Sequence, residues 1–473
     1  MSKHFTQRSF TFFTINFIVG LGFLTTISTV AGFGLWGYLI ILIAGMAVFG
    51  VSLVFSRLSN AFKEHYGGSY AFAKHFNESY GQSKKTKFFA FFVGWNQFIQ
   101  NPIISSVSPL FLANVITGLL DPNQPNYTLF LWITRVGALI FFIVLILLST
   151  IGLKVNKRII WSVSTIKWFV LLIGIFILLY EVTTHQQYDQ NIMNHKKIDA
   201  QLLFANSLLF IYAFGGTEDV AAMVKDVKFK NFRKILFVSF FSVLGFYLIV
   251  FSLLLGLDIK LIQDKGLVYV YKTLGAVVGT VLFLFGFISN EISSKITISV
   301  ATARKLAPLA KDGHIFAILA KKSKNGEFKN AIWFTSIATL VTMIVFWTIP
   351  LVIYSNPSEQ NNFFDTVIIS SGVALLIEDL LTLYVAFALE KKKVITKIPL
   401  WEKIYYIFVM GLIIFLLISF LFPIIWKPIY PNIQFDPKQW VVLGSYLVFI
   451  LIGIIIYFAN NKIKNKEQYI KNN

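Results

Sequence analysis

The sequence predicts an all-α membrane protein with twelve membrane-spanning helices, and three observations support this. Hydrophobic residues make up 56% of the chain and charged residues only 14%, whereas a soluble domain has about 25% charged residues. Twelve apolar segments reach the roughly 20 residues that a helix needs to cross a bilayer. Two of these segments carry glycines at mid-length, which predicts broken helices 1 and 6.

We number the apolar segments 1 to 12 in chain order. They cover about residues 10–33, 36–58, 88–118, 128–150, 159–181, 201–224, 235–257, 275–303, 330–354, 363–389, 404–426 and 439–460. The connections between them are too short for separate domains, so we expect residues 1–460 to form one transmembrane domain. Residues 461–473 are expected to form a frayed, basic cytoplasmic tail.

The basic residues predict the orientation of the chain. With the N-terminus in the cytoplasm, 31 of the 42 Lys and Arg residues fall on the cytoplasmic side, seven on the other side and four within segments. This asymmetry follows the positive-inside rule. We therefore expect a multi-pass protein of the cell membrane with both termini cytoplasmic. The positive-inside rule then accounts for the net charge of +20 as a device that orients the protein in the lipid bilayer. We therefore predict no nucleic-acid partner.

The residue types argue against an enzyme. The chain has no cysteine, which excludes thiolate sites and a disulfide-linked subunit. All six histidines lie in tails or loops, at His4, His65, His75, His185, His195 and His314. We therefore predict no catalytic residues, no metal and no cofactor. The alternative is a membrane enzyme or a non-transporting multi-pass protein, and it would be favoured if both glycine stretches were unbroken helix facing lipid.

The two glycine stretches complement each other chemically. The first break, residues 18–23, contains Gly20 and Gly22, and a helix that resumes there offers free N–H groups to an anion. The second break, residues 212–219, contains Gly215 and Gly216, and carbonyls that end its first half can accept from an ammonium group. A zwitterionic amino acid matches both. The alternative is that the glycines only let helices pack closely.

The positions of the breaks predict an internal repeat. Each predicted half has five helices, which is an odd number, so segments 1 and 6 would cross the membrane in opposite directions. The second half would therefore be inverted relative to the first. We expect a first repeat over 10–181, a second over 201–389 and two extra helices over 404–460. Paired breaks in inverted halves are typical of a secondary transporter with its site at the bilayer midplane.

Four motifs carry a family resemblance. Residues 18–23 are similar to the first-helix G-S-G motif of the amino acid–polyamine–organocation (APC) superfamily of permeases, and residues 212–219 to its sixth-helix F-x-G-x-E segment. Residues 66–70 match its G-G-x-Y loop. Residues 299–313 resemble the end of its eighth helix, S-x-x-x-A-R-x-L-x-x-L-A-R-D-G. The motifs cover residues 10–320, and hydropathy extends the resemblance over the rest.

The resemblance implies a leucine-transporter-like 5+5 fold and a set of site residues. Backbone groups around Gly20 would hold the substrate carboxylate, although Leu21 replaces the usual serine. Carbonyls of the two breaks would hold the amino group, and Phe214 would act as an aromatic gate. The implied substrate-binding residues are Ile18, Gly20, Leu21, Gly22, Phe23, Tyr212, Phe214, Gly215, Gly216 and Lys295.

Lys167 is the most informative single residue. It lies nine positions beyond Arg158, about 13–14 Å by helical rise, and hence near the middle of the bilayer. A lysine there must be paired, hydrated or neutral. The resemblance implies a role in proton coupling, with Lys167 facing the first break. The alternative is a structural ion pair or a hydrogen bond to freed carbonyls. Glu218 fits a gating or pH-sensing carboxylate.

Further charges lie within the segments. Glu291 and Lys295 share one face of segment 8, so Lys295 could meet an acidic substrate side chain, or Glu291 could simply neutralise it. Glu378 and Asp379 are assigned no role. Gln97, Gln100 and Asn101 share one face of segment 3, where they could line a path or hold helices together.

The sequence therefore predicts secondary active transport of amino acids by alternating access, driven by a proton gradient. The alternative is amino acid exchange without proton coupling. Neither the identity of the amino acid, nor the choice between symport and exchange, nor the oligomeric state follows from the residues.

Overall fold

The computed structural model describes residues 4–117, 124–193, 198–265, 267–272, 274–353, 357–431 and 437–472. Segments 1 to 5 form the helices Gln7–Ile18 with Leu21–Ala31, Trp36–Ala61, Lys84–Thr117, Tyr127–Ser149 and Leu153–His185. Segments 6 to 12 form Ala200–Ile211 with Thr217–Ala222, Phe232–Leu254, Ala276–Lys311, Lys329–Ile353, Pro357–Lys391, Leu400–Leu421 and Pro437–Asn472. Shorter helices occupy the connections, at Ser69–Ser79, Tyr188–Met193, Ile259–Lys265 and Val268–Lys272.

The number of membrane spans depends on how segment 1 is counted. Within the described residues, eleven helices are long and apolar enough to cross a bilayer. The two helices of segment 1 meet at a bend of 52° and raise the number to twelve if they form one span. Helices suit this environment because they satisfy their own backbone groups without water.

The helices divide into an interior and a periphery. In segment 2, 78% of the most apolar stretch is buried, against 22% in segments 4 and 12. The peripheral helices present large apolar side chains outward; Phe176 in segment 5, for example, is 70% exposed. Exposed apolar side chains around a buried interior are expected of a protein whose outer solvent is lipid.

A pair of short strands and the end of the last helix complete the fold. A pair of short parallel strands, Phe5–Thr6 and Val227–Lys228, joins the start of the chain to the connection after segment 6. This pairing has no counterpart in the sequence predictions. The last helix, Pro437–Asn472, includes most of the predicted tail at 461–473.

Candidate functional site

The first break interrupts segment 1 as the glycines predict. The first helix ends at Ile18, Gly20 adopts φ −137° and ψ −147°, and the second helix begins at Leu21. No side chain caps that second helix. Its first N–H groups therefore lack intrahelical acceptors, as at every helix N-terminus. The side chain of Leu21 lies outside what the structure describes.

Lys167 binds the carbonyl side of the first break. Its amine donates to the carbonyl of Asn16 at 2.6 Å and also to the carbonyl of Val19. The side chain is only 3% exposed. The two oxygens that the break frees are thus held by a group that can carry a charge. Facing the first break is the placement that the resemblance implies for Lys167.

The second break is longer and tighter. After Ile211 the chain makes a single 3₁₀ turn over Tyr212–Phe214 and then passes through Gly215 and Gly216 before the helix resumes at Thr217. Gly216 has a φ of 127°, which favours glycine because other residues rarely adopt it. The Glu218 carboxylate accepts the Gly216 N–H at 2.9 Å, while no side chain caps the helix that begins at Thr217.

The two breaks lie against each other. A β-carbon added to Gly22 would come within 2.8 Å of the Tyr212 carbonyl oxygen, so only glycine permits this backbone approach. Tyr247, from segment 7, joins the breaks. Its hydroxyl lies 2.5 Å from the Ala213 carbonyl oxygen and 3.3 Å from that of Ile18. The sequence analysis did not identify this residue.

A central cavity of about 90 Å³ opens between the breaks, where one buried water needs about 10–15 Å³. Its lining includes eight of the twelve predicted site residues, namely Ile18, Gly20, Gly22, Tyr212, Gly215, Gly216, Glu218 and Lys295. Segment 3 adds Gln100 and Asn101 from its predicted polar face, together with Ser105 and Ser108. The cavity is therefore bordered by backbone at two ends and by polar side chains along one wall.

Phe23 and Phe214 lie away from the central cavity. Phe23 stacks on the Tyr247 ring with centroids 4.6 Å apart. Phe214 packs against the same tyrosine at 5.0 Å and against Phe210 at 5.8 Å. The structure thus places the Phe214 ring in the apolar core, because the 3₁₀ turn directs it toward segment 7. Tyr212 is the aromatic residue of the second break that lines the cavity.

A second, side cavity reaches Lys167 from the other direction. It measures about 70 Å³, and segments 1, 5, 7 and 8 line it almost entirely with apolar side chains. Gly20 borders both cavities. The first break therefore lies between the polar central cavity and the apolar side cavity, which Lys167 lines.

A family comparison agrees with this geometry. The family model of the amino acid permeases matches residues 5–458. The chain belongs to the amino acid permease family. This confirms the resemblance to the APC superfamily that the four motifs indicated.

Three relatives of this permease match along nearly their whole length. It is 30% identical to the uncharacterized protein MG225 of Mycoplasma genitalium, over 99% of this chain and 97% of the relative. It is 31% identical to the uncharacterized protein MG226 of the same organism, over 100% and 98%. The MG226 homolog of Mycoplasma pneumoniae is 30% identical over 99% and 97%.

Below the central cavity, the permease buries a network of charges. Asp219 pairs with Lys305 at 2.7 Å and accepts from Asn101 at 3.1 Å. Glu378 accepts from Ser69 at 2.5 Å and from Gln100. These contacts connect segments 3, 6, 8 and 10, and they supply hydrogen-bond donors to Glu378, to which the sequence analysis assigned no role.

Several motif residues of the permease meet on its basic face. Arg304 binds Asp226 at 2.5 Å and Glu327 at 3.0 Å. The Tyr66 hydroxyl donates to Asp226 at 2.6 Å, and Tyr70 donates to Asp312. The motifs after segment 2 and at the end of segment 8 therefore form one set of contacts that ties these ends together.

Proposed function

We propose that this permease transports amino acids together with protons across the cell membrane by alternating access. The observation that carries the proposal is the contact of the buried Lys167 amine with the Asn16 and Val19 carbonyls. It places a group able to gain and lose a proton at a helix break that borders the central cavity.

The substrate would bind between the two breaks. The uncapped N-terminus at Leu21 offers N–H groups and a partial positive charge to the α-carboxylate. Carbonyls of Ile18, Tyr212 and Gly215 offer partial negative charge to the α-ammonium group. Those of Ile18 and Tyr212 each accept one hydrogen bond already, and a carbonyl oxygen has two lone pairs.

Coupling would follow from the protonation of Lys167. The ammonium form attracts both carbonyl dipoles and holds the helix Gln7–Ile18 in its present direction. The neutral amine attracts them less, so that helix can tilt relative to Leu21–Ala31 about the 52° bend. A substrate bound at the same break then responds to the proton. Glu218, which accepts the Gly216 N–H, would gate the second break through its own protonation.

The basic side of the protein would face the cytoplasm, with both termini on that side. The placement of Lys and Arg supports this orientation through the positive-inside rule. Substrate and proton would then enter together from the outside. A proton gradient directed inward supplies the free energy, and no cofactor takes part.

Uptake into proteoliposomes tests this proposal. We expect labelled amino acid to accumulate when the outside is acidic, and to stop accumulating when a protonophore removes the gradient. Counterflow, in which unlabelled internal amino acid drives labelled uptake, measures exchange in the same vesicles. Uptake that ignores the gradient but requires internal substrate would support the exchanger instead.

A further inference from the structure

The charged side chains that line the central cavity differ in whether they have hydrogen-bond or ion-pair partners within the protein. Asp219 is paired with Lys305, and Glu218 accepts the Gly216 N–H. Glu291 accepts from the Ser108 hydroxyl and from the Asn290 amide at 3.4 Å. All three carboxylates therefore have hydrogen-bond donors within the protein.

Lys295 differs from these groups. It is 6% exposed, yet in the part of the chain that the structure describes its amine forms no hydrogen bond and no ion pair within 4.0 Å. Glu291, one helical turn away, attracts this charge from a greater distance. The amine lies 3.9 Å from the centre of the Phe142 ring, a contact that offsets only part of the cost of burying a charge.

The position of Lys295 relates it to the first break. Its neighbour Ser294 has its hydroxyl oxygen 3.7 Å from the point where a β-carbon would stand on Gly20, and the Asn290 amide oxygen is 3.8 Å from the same point. Segment 8 therefore borders the place where the α-carboxylate of the substrate would bind. Lys295 lines the same cavity as Gly20 and Gly22.

We propose that the site selects amino acids whose side chain carries a second carboxylate, and that Lys295 determines this selectivity. The inference rests on the proposed function. A side-chain carboxylate supplies the acceptors that the buried ammonium lacks, and a charge-assisted hydrogen bond of this kind is about twice as strong as a neutral one. A cationic side chain would meet the repulsion of Lys295, while Glu291 already has its donors.

Matched ligand pairs test the inference on the purified full-length protein. L-glutamate and L-glutamine have nearly the same shape and share the α-carboxylate and α-ammonium groups, so their difference isolates the side-chain charge. We expect glutamate to bind the wild type at least tenfold more tightly than glutamine, measured by calorimetry or thermal shift. In Lys295→Met this preference should vanish, and Lys295→Arg should retain it. Lys324→Met, at an exposed loop position, is the matched control and should keep it.

Three results separate the possible failures. Equal binding of glutamate and glutamine to the wild type would overturn the inference and leave the proposed function intact, as would a preference for L-lysine. An equal loss of both ligands in Lys295→Met would also overturn it, because Lys295 would then bind the common α-carboxylate. If none of the twenty amino acids binds the wild type, the proposed function itself fails. The wild-type comparison decides even if Lys295→Met does not fold.

Discussion

The two helix breaks differ in the side chains that donate hydrogen bonds to their freed backbone carbonyls. At the first break, the freed carbonyls of Asn16 and Val19 bind the Lys167 amine, while the N-terminus that follows has no side-chain cap. At the second break, the Ala213 carbonyl binds the Tyr247 hydroxyl, and the Glu218 carboxylate accepts the Gly216 N–H. Neither helix that follows a break has a side-chain cap, but only the second has carboxylates in its first turn, at Glu218 and Asp219.

This difference assigns the breaks different tasks. A lysine amine can gain or lose a proton and so change its charge, whereas a tyrosine hydroxyl donates a hydrogen bond as a neutral group. The first break is therefore the part of the site whose geometry can follow a proton, and its N-terminus, which has no acidic side chain in its first turn, is the part that can hold a carboxylate. The second break supplies a wall of the cavity. The following predictions test this division in order of expected effect.

The largest effect is expected from Gly22→Val, which disturbs the contact between the breaks. Its β-carbon would meet the Tyr212 carbonyl oxygen at 2.8 Å, and neither backbone can yield without moving a helix. We expect amino acid binding to fall at least a hundredfold in a titration of the purified protein. Gly411→Val in segment 11, where no atom lies within 4 Å, is the control and should bind normally. Unaltered affinity in Gly22→Val would place the site elsewhere.

Lys167→Ala should uncouple transport rather than stop it. Without the amine there is no proton to exchange, so gradient-driven accumulation in proteoliposomes should fall at least tenfold while counterflow continues. Lys167→Arg keeps a cation and its donors but does not release a proton, and it should behave in the same way. Accumulation retained in either variant contradicts the role of Lys167.

Tyr247→Phe should weaken the second break without affecting coupling. The ring contacts with Phe23 and Phe214 remain, but the Ala213 carbonyl loses its donor, which costs about 1–3 kcal/mol. We expect a lower melting temperature and a weaker affinity, with an unchanged pH dependence of uptake. A changed pH dependence would show that the breaks are not divided as described.

The smallest effect on stability is expected from Glu218→Gln. The glutamine side chain can still accept the Gly216 N–H, so the free energy of unfolding should change by no more than a surface substitution changes it, about 0.5 kcal/mol. If Glu218 gates transport by its charge, the rate of exchange should lose part of its pH dependence. Asp189→Asn, at an exposed connection, serves as the control. An exchange rate that keeps its full pH dependence would leave Glu218 with no role beyond its hydrogen bond with Gly216.

The sequence predicted the helices and the breaks because lipid restricts the possibilities. An apolar run of about 20 residues has few ways to satisfy its backbone in a bilayer except as a helix. The glycines at 20, 22, 215 and 216 mark where that helix stops, and the structure confirms both breaks. Lys167 could be placed by helical rise alone, since it follows a basic residue that fixes the depth of its segment.

Other parts of the site depend on distant contacts. Tyr247 is one of 19 tyrosines, and nothing in segment 7 indicates that its hydroxyl reaches two breaks. Lys305 belongs to a recognised motif, but its pairing with Asp219 depends on how segments 6 and 8 pack. Phe214 adjoins the second break in sequence, yet the direction of the 3₁₀ turn places its ring in the core. Spacing along a chain does not determine these directions.

The central claim is that a proton bound at Lys167 moves with the amino acid. Proton entry measured with a pH-sensitive dye inside proteoliposomes, in the absence of any imposed gradient, tests it most directly. We predict that adding substrate outside acidifies the interior of wild-type vesicles and leaves the interior of Lys167→Ala vesicles unchanged. Substrate entry without acidification in the wild type, or equal acidification in Lys167→Ala, would contradict the account.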